Sequence, residues 1–336
     1  MKLANMLSAA TIVLGVLVLA GAAQAEPVKL RIGWIVPAGD APLALFGKPG
    51  IAQHEGKSYT LEFTHFTGTP PMISAISADE VDLAPFAFSS FALAVENAKL
   101  EDLRIISDCF RDGVTGYYSS EYMVLSDSPI QKVEDLKGKV VTSNAAGSAV
   151  DIALREMLKR HGLQDKRDYT LIESAFPNMK SELLDRKVDL ITGVTPFSQD
   201  PQLRAAARDL FVQKDAIGVS QMIIWTARTA FIAKNRAALV DYAEDYLREL
   251  RWYWDPANHA DAVKAVTDFT KTPTALWDSW IFTKGDVYHD PNGMPDLDAL
   301  HNNISAANGL GFVPKDLDPH QYADLTMVEE AAQRLK

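Results

Sequence analysis

Behind Lys2 the chain runs apolar from Thr11 to Ala20 and then changes to alternating patterns. Residues 1–25 close on Ala23-Gln24-Ala25, a small-x-small ending, so the segment reads as a secretory signal peptide cleaved after Ala25. Its apolar run is shorter than the roughly 20 residues that span a bilayer, which separates it from a membrane anchor. Beyond it, Val28 to Val36 alternates apolar and polar residues before turning wholly apolar, the pattern of a strand, and Pro37-Ala38-Gly39 ends it. Tyr59 to Phe66 alternates likewise. Pro70-Pro71 starts a helix carrying Ile73 and Ile76, and Val81-Asp82-Leu83-Ala84 reads as a short strand.

The same order returns further on. Lys139 to Thr142 reads as a strand, Ser148 to His161 as a helix stopped by Gly162, Tyr169 to Ile172 as a strand, Met179 to Arg186 as a helix and Val188 to Ile191 as a strand. Tyr-Thr-Leu stands at 59–61 and at 169–171, and Val-Asp-Leu at 81–83 and at 188–190. Two matches in equivalent places of a strand-helix series predict two α/β lobes of like plan, each a mostly parallel sheet flanked by helices. Three amphipathic helices follow, over Arg236 to Trp254, Ala299 to Ala307 and Met327 to Leu335, with no strands of their own. The economical topology assigns residues 26–120 and 226–336 to lobe one and 121–225 to lobe two, with crossings at Ser119 to Tyr122 and Trp225 to Arg228 and a return strand over Gln221 to Trp225. No Pro/Gly/Ser-rich linker intervenes, so the crossings are expected to be short.

Composition narrows the function. The 336 residues carry 33 Lys+Arg against 44 Asp+Glu, a net charge of −11 that repels phosphate backbones and argues against nucleic acid as a partner. A single cysteine, Cys109, excludes an internal disulfide and a cysteine-based zinc site, and reads as a small buried hydrophobe. The seven histidines form no HExxH and no close pair at helical spacing, and no nucleophile elbow, P-loop or dinucleotide fingerprint is present. Asp290 to Asp298 lacks the acidic spacing of a calcium loop and reads as a solvated turn. No metal and no cofactor is expected.

The mature chain resembles the solute-binding components of ABC importers of the nitrate, sulfonate, taurine and thiamine-precursor group. The carrying residues are the signal segment, Leu30-Arg31-Ile32-Gly33, Val81-Asp82-Leu83-Ala84, Val133 to Val140, Gly147-Ser148, Val188-Asp189-Leu190 and Tyr322-Ala323-Asp324-Leu325. The resemblance covers essentially the whole mature chain. It implies a two-lobed periplasmic clam-shell, monomeric, that closes on a small, usually anionic ligand and delivers it to a membrane permease. Pyrimidine synthases related to this group carry a cysteine-rich CCCFC motif, of which only Cys109-Phe110 stands here.

Ligands of open α/β sheets sit outside the carboxyl ends of the strands, and the loops there are rich in hydroxyls, glycine and aromatics. An anion held by neutral donors needs backbone N–H groups and hydroxyls at a helix start, where the dipole is positive. In lobe two this chemistry falls on Ser143, Asn144, Gly147 and Ser148, with Thr195; in lobe one on Pro37, Thr67, Gly68, Thr69 and Ser89. Ser148 and Thr69 read equally as helix caps. Trp34, Phe66, Phe88 and Phe176 lie at or beside the same loops and are candidates to cover an apolar body, which points to an organic anion such as a sulfonate or an aromatic or aliphatic carboxylate. Arg228, at the second crossing, is a candidate for bidentate pairing with a carboxylate or sulfonate, the alternative being a surface ion pair. The competing reading is an exported hydrolase on the same bilobal fold.

Overall fold

The computed structural model describes residues 26–35, 41–46 and 48–336; the signal segment and Pro37 lie outside them. The chain begins with β1 (Val28–Trp34), whose alternation buries Leu30 and Ile32 and leaves Lys29 exposed. After α1 (Ala41–Leu45), β2 (Tyr59–His65) pairs with β1 in parallel, Val28 opposite Tyr59 and Trp34 opposite His65. Then come α2 (Thr69–Ser77), β3 (Ala84–Ala87), α3 (Phe88–Glu96) and β4 (Leu103–Asp112).

The second lobe starts with β5 (Glu121–Leu125) and repeats the plan. It continues through β6 (Val140–Ser143), α4 (Ala149–Arg160), β7 (Thr170–Glu173), α5 (Phe176–Leu184), β8 (Ile191–Gly193), α6 (Pro201–Ala206), β9 (Ala207–Val212) and α7 (Gln213–Ile217). β6 and β7 pair in parallel, Val140 opposite Thr170.

The sequence repeat has a structural cause. Each Val-Asp-Leu sets its leucine against the edge of a parallel pair in its lobe, Leu83 beside Ile32 of β1 and Leu190 beside Val141 of β6, both in parallel. The intervening carboxylate caps that strand's edge: Asp82 accepts from the Arg31 amide at 3.0 Å and Asp189 from the Val140 amide at 2.9 Å. Each Tyr-Thr-Leu follows a tight turn closed onto its tyrosine carbonyl, from the Gly56 amide in one lobe and the Lys166 amide in the other. Gly56 and Lys166 both adopt positive φ, at 76° and 62°.

β10 (Ser220–Arg228) returns the chain and runs antiparallel between β3 and β4. Its pairing with β4 begins at Ser220, so Trp225 to Arg228, where a crossing is expected, lie within a strand of the β3–β10–β4 sheet. The sheets are consequently mixed: the repeated strands pair in parallel, while β10 and β5 each bring antiparallel neighbours. α8 (Thr229–Tyr253) begins ahead of the predicted Arg236 and is interrupted at Asn235, whose φ of −122° is not helical. α9 (His259–Thr270), α10 (Leu297–Gly309) and α11 (Thr326–Arg334) complete lobe one. Cys109 is buried, as expected of a small apolar residue. No helix among the described residues is long and apolar enough to cross a membrane.

Candidate functional site

Four helices start at one cavity. Gly68 precedes α2, Ala87 precedes α3, Ser148 precedes α4, and Phe176 is the first residue of α5; all four line one cavity, partly open to solvent. Two of these helices belong to each lobe. Each is nine residues or longer and presents the positive end of a helix dipole, with first-turn amides that lack intrahelical partners; these are fewer in α2, where Pro70 and Pro71 have no N–H, and in α5, where Pro177 has none. α2, α3 and α5 have no side-chain cap on those amides. The rest of the wall is largely apolar, with Ile35, Phe110, Val150, Val194, Met222, Ile223 and Val287, and the described residues that line it include no charged side chain. Such a space holds a small molecule through a few polar groups at one place and apolar contact elsewhere.

The polar edge is built locally. Ser148 caps α4 by accepting from the Asp151 amide at 3.3 Å and donates to Asn144 Oδ1 at 2.7 Å. Asn144 Nδ2 in turn reaches across to the Thr67 carbonyl at 3.4 Å. Thr69 shares a 2.7 Å hydrogen bond with Ser90. Asp151 lies buried in the first turn of α4; burial pushes its carboxyl up and Arg155, which contacts both oxygens at 2.9 and 3.0 Å, holds it down. The arginine thereby offsets the charge of that carboxylate at the start of α4.

Of the predicted residues, Gly68, Thr69, Asn144, Ser148, Phe176 and Thr195 come together on the cavity. Phe176 lies parallel to Phe197, ring centres 6.4 Å apart. The other described ones do not line it. Trp34 packs on His65 and Phe269, and Phe66 packs against the core. Phe88, the first residue of α3, is fully buried in the hydrophobic core. Thr67 contributes its carbonyl to Asn144, and Ser89 donates to the Gly147 carbonyl. The Ser143 hydroxyl is buried without a hydrogen-bond partner, off the lining. Gly147 is needed for its backbone, at φ 75°; a Cβ there would point to Phe312 and Leu93 rather than to a ligand. Arg228 pairs with Asp79 and Asp102, each at 3.1 Å, the surface ion pair that a −11 chain makes easy to form, and is not among the described residues that line the cavity.

Tyr118, Ser120, Met222, Ile223 and Val287 were not among the predicted residues. They come from the first crossing, the return strand and the C-terminal part of lobe one, which the repeat does not mark. A signal was present in Gly116-Tyr117-Tyr118-Ser119-Ser120, which has the same mix of glycine, aromatic and hydroxyl residues as the strand-end loops. Away from the cavity, ligand atoms of His54, Asp241 and Glu244 lie within 4.8 Å of one another. Arg334 reaches both carboxylates, at 2.9 and 3.4 Å, and Arg248 the second, so cationic side chains already serve this cluster.

The fold is shared with solved structures. The alkanesulfonate-binding protein SsuA from Xanthomonas axonopodis pv. citri, bound to MOPS, is 17% identical and superposes with a TM-score of 0.70 over 90% of this chain and 99% of its own. The periplasmic nitrate-binding protein NrtA from Synechocystis PCC 6803 is 13% identical, with a TM-score of 0.72 over 93% and 90%. The desulfurization enzyme DSZB is 14% identical, with a TM-score of 0.66 over 92% and 100%. At these identities the likeness is one of fold, a two-lobed α/β binding-protein fold that serves transport and enzyme chemistry alike. Comparison with curated proteins finds no match. The model of the NMT1-like family matches residues 23–267, most of the described lobes, and this chain therefore belongs to the NMT1-like family.

Proposed function

We propose that this chain is the solute-binding component of an ABC importer, which captures a small organic anion, a sulfonate or a carboxylate with an apolar body, between its lobes and hands it to a membrane permease. The observation that carries this reading is the convergence of four helix starts, two from each lobe, on an apolar cavity whose described lining has no charged side chain. Dipoles and amides supply attraction for an anion at the polar edge, and the apolar wall favours a body larger than nitrate. The sulfonate- and nitrate-binding neighbours support the same reading. Export with removal of residues 1–25, residence in the periplasm and action as a monomer complete it. Binding is favoured over hydrolysis because the described lining places hydroxyls from Thr69, Ser120, Ser148 and Thr195 but no histidine, and the one carboxylate met by the Ser120 hydroxyl, buried Asp112, also accepts from the Ser119 hydroxyl and the Ser120 amide.

The test is calorimetric titration and thermal shift of residues 26–336 with ethanesulfonate, benzenesulfonate, benzoate, MOPS and nitrate. A saturating organic anion at 100 times its dissociation constant stabilises the fold by about 2.7 kcal/mol. No shift with any organic anion, or recovery of a chemically altered ligand after incubation, overturns the proposal.

A further inference from the structure

One aromatic ring of the cavity wall is held by both lobes at once. Tyr118 lies in the first crossing, between the end of β4 at Asp112 and the start of β5 at Glu121. Its backbone belongs to lobe one: its amide donates to the Asp286 carbonyl at 3.0 Å, and its carbonyl accepts from the Gly113 amide at 3.1 Å. Its hydroxyl belongs to lobe two, 3.0 Å from the Gly193 carbonyl, 3.0 Å from Ser198 Oγ and 3.3 Å from a Glu121 carboxylate oxygen. Glu121 is itself fixed by Arg204. Between these two anchorages the ring lines the cavity.

We infer that Tyr118 is a positioning residue that couples occupancy of the cavity to closure of the lobes, an inference that rests on the binding role proposed above. Its hydroxyl is committed to lobe two and its ring faces the ligand space, so it offers the ligand an apolar surface and no hydrogen bond. Rotation of lobe two about the crossing has to break the contacts with Gly193 and Ser198 or drag the ring out of the wall. A ligand packed on the ring opposes both movements, and the hydroxyl contacts favour the closed arrangement even before a ligand arrives. The adjoining residues stiffen the same joint. Ser119 and Ser120 both donate to buried Asp112, at 2.6 and 2.8 Å, and the Ser120 carbonyl accepts from the amide of Gln213, the first residue of α7, at 2.7 Å. A ligand bound only by the closed form has an apparent affinity proportional to the population of that form, so contacts that favour closure raise affinity without touching the ligand.

The experiment uses residues 26–336 with spin labels on Thr60→Cys and Lys187→Cys, one exposed position in each lobe, and compares Tyr118 with Tyr118→Phe, which keeps the ring. Cys109 is buried. A second variant, Ser198→Ala, removes one partner of the hydroxyl and leaves Tyr118 itself intact. In the ligand-free protein both variants are expected to broaden the interlobe distance distribution and shift it to longer distances, Tyr118→Phe more than Ser198→Ala. Titration with benzenesulfonate is expected to weaken about tenfold in Tyr118→Phe, while the order of affinity among ethanesulfonate, benzenesulfonate and benzoate stays that of the parent, because the wall is unchanged. Distance distributions identical to the parent in both variants overturn the inference, as does a changed order of preference. Failure of the parent to bind any of these anions defeats the binding role, and the ligand-free distances still decide the coupling.

Discussion

The Ser89 hydroxyl in the first turn of α3 donates to the carbonyl of Gly147, the residue before the cap of α4. Ser89 is fully buried. One hydrogen bond thus ties two helix starts of different lobes, beside the cavity that both helices border. Asn144 and Thr67 form a second tie of the same kind. The polar edge of the cavity therefore exists as a unit only when the lobes meet, which is the geometric basis for the first two predictions.

Gly68 leaves room for that meeting. A Cβ at Gly68 would stand 3.0 Å from Asn144 Nδ2, and Asn144 is already committed to Ser148 and Thr67. The backbone at Gly68 is extended, so other residues adopt it without strain. Gly68→Val is expected to keep the unfolding temperature within a few degrees of the parent and to weaken organic-anion binding by more than tenfold, read by calorimetry. Parental affinity in a folded Gly68→Val removes the closure of the cavity from the account.

Ser148→Ala removes the α4 cap and the bond to Asn144 together. Stability should fall by about 1 kcal/mol, as for a lost N-cap, and anion affinity by a further factor that corresponds to about 1 to 2 kcal/mol, the scale of a hydrogen bond to a charged group. Ser148→Thr, which retains the hydroxyl, should recover most of both. Loss of stability with unchanged affinity leaves Ser148 as a cap alone.

Arg228→Ala should bind organic anions within twofold of the parent, because its guanidinium pairs with Asp79 and Asp102 outside the cavity. The cost to the fold should be below about 1 kcal/mol, as for other half-exposed ion pairs. A tenfold loss of affinity on titration would reinstate Arg228 as an anion anchor.

His289 makes stability depend on pH on the acid side. Burial lowers its pKa to about 4, against the smaller opposing effect of its bond to the Cys109 carbonyl. A depressed pKa means that the neutral form is favoured in the fold. Its contribution is complete above the unfolded value near 6.5 and is lost as pH falls through about 4. Unfolding temperature should therefore decline from pH 7 to pH 5, and the decline should be shallower in His289→Gln. Equal slopes in the two proteins would mean that other groups govern the acid limb.

Glu249 acts in the opposite direction. Its carboxyl is fully buried, neither oxygen has a hydrogen-bond partner, and burial, reinforced by Asp245 and Glu55, raises its pKa well above the usual carboxylate range. A raised pKa contributes stability that is present below the unfolded value near 4.3 and is lost as pH rises through the folded value. Glu249→Gln, which cannot ionise, should gain on the parent in unfolding temperature between pH 5 and pH 9. A difference between the two that does not change with pH would show that Glu249 is not the titrating group.

What the chain's pattern determined by itself is local and repeated. Alternation in Val28 to Trp34 specifies a half-buried strand wherever it is placed, and the paired Tyr-Thr-Leu and Val-Asp-Leu segments specify two like units, since in each the same turn, strand and carboxylate cap recur within one stretch of chain. Six of the predicted site residues reached the cavity for a related reason: all follow strand ends, and five of them, Thr195 excepted, stand at or just ahead of a helix start, where a strand-to-helix turn fixes the direction of the chain. Pairing over long separations was beyond that reading. Whether Ser220 to Arg228 joins lobe one depended on β3 and β4, more than 100 residues earlier, and its apolar run alone could not name its neighbours. Tertiary structure likewise decided that Phe88 turns into the core, that Arg228 finds two acids, and that Tyr118 spans the crossing with its ring on the cavity. Each of those outcomes is set by which groups meet in space, and side-chain contacts between lobes carry no periodic trace along the chain.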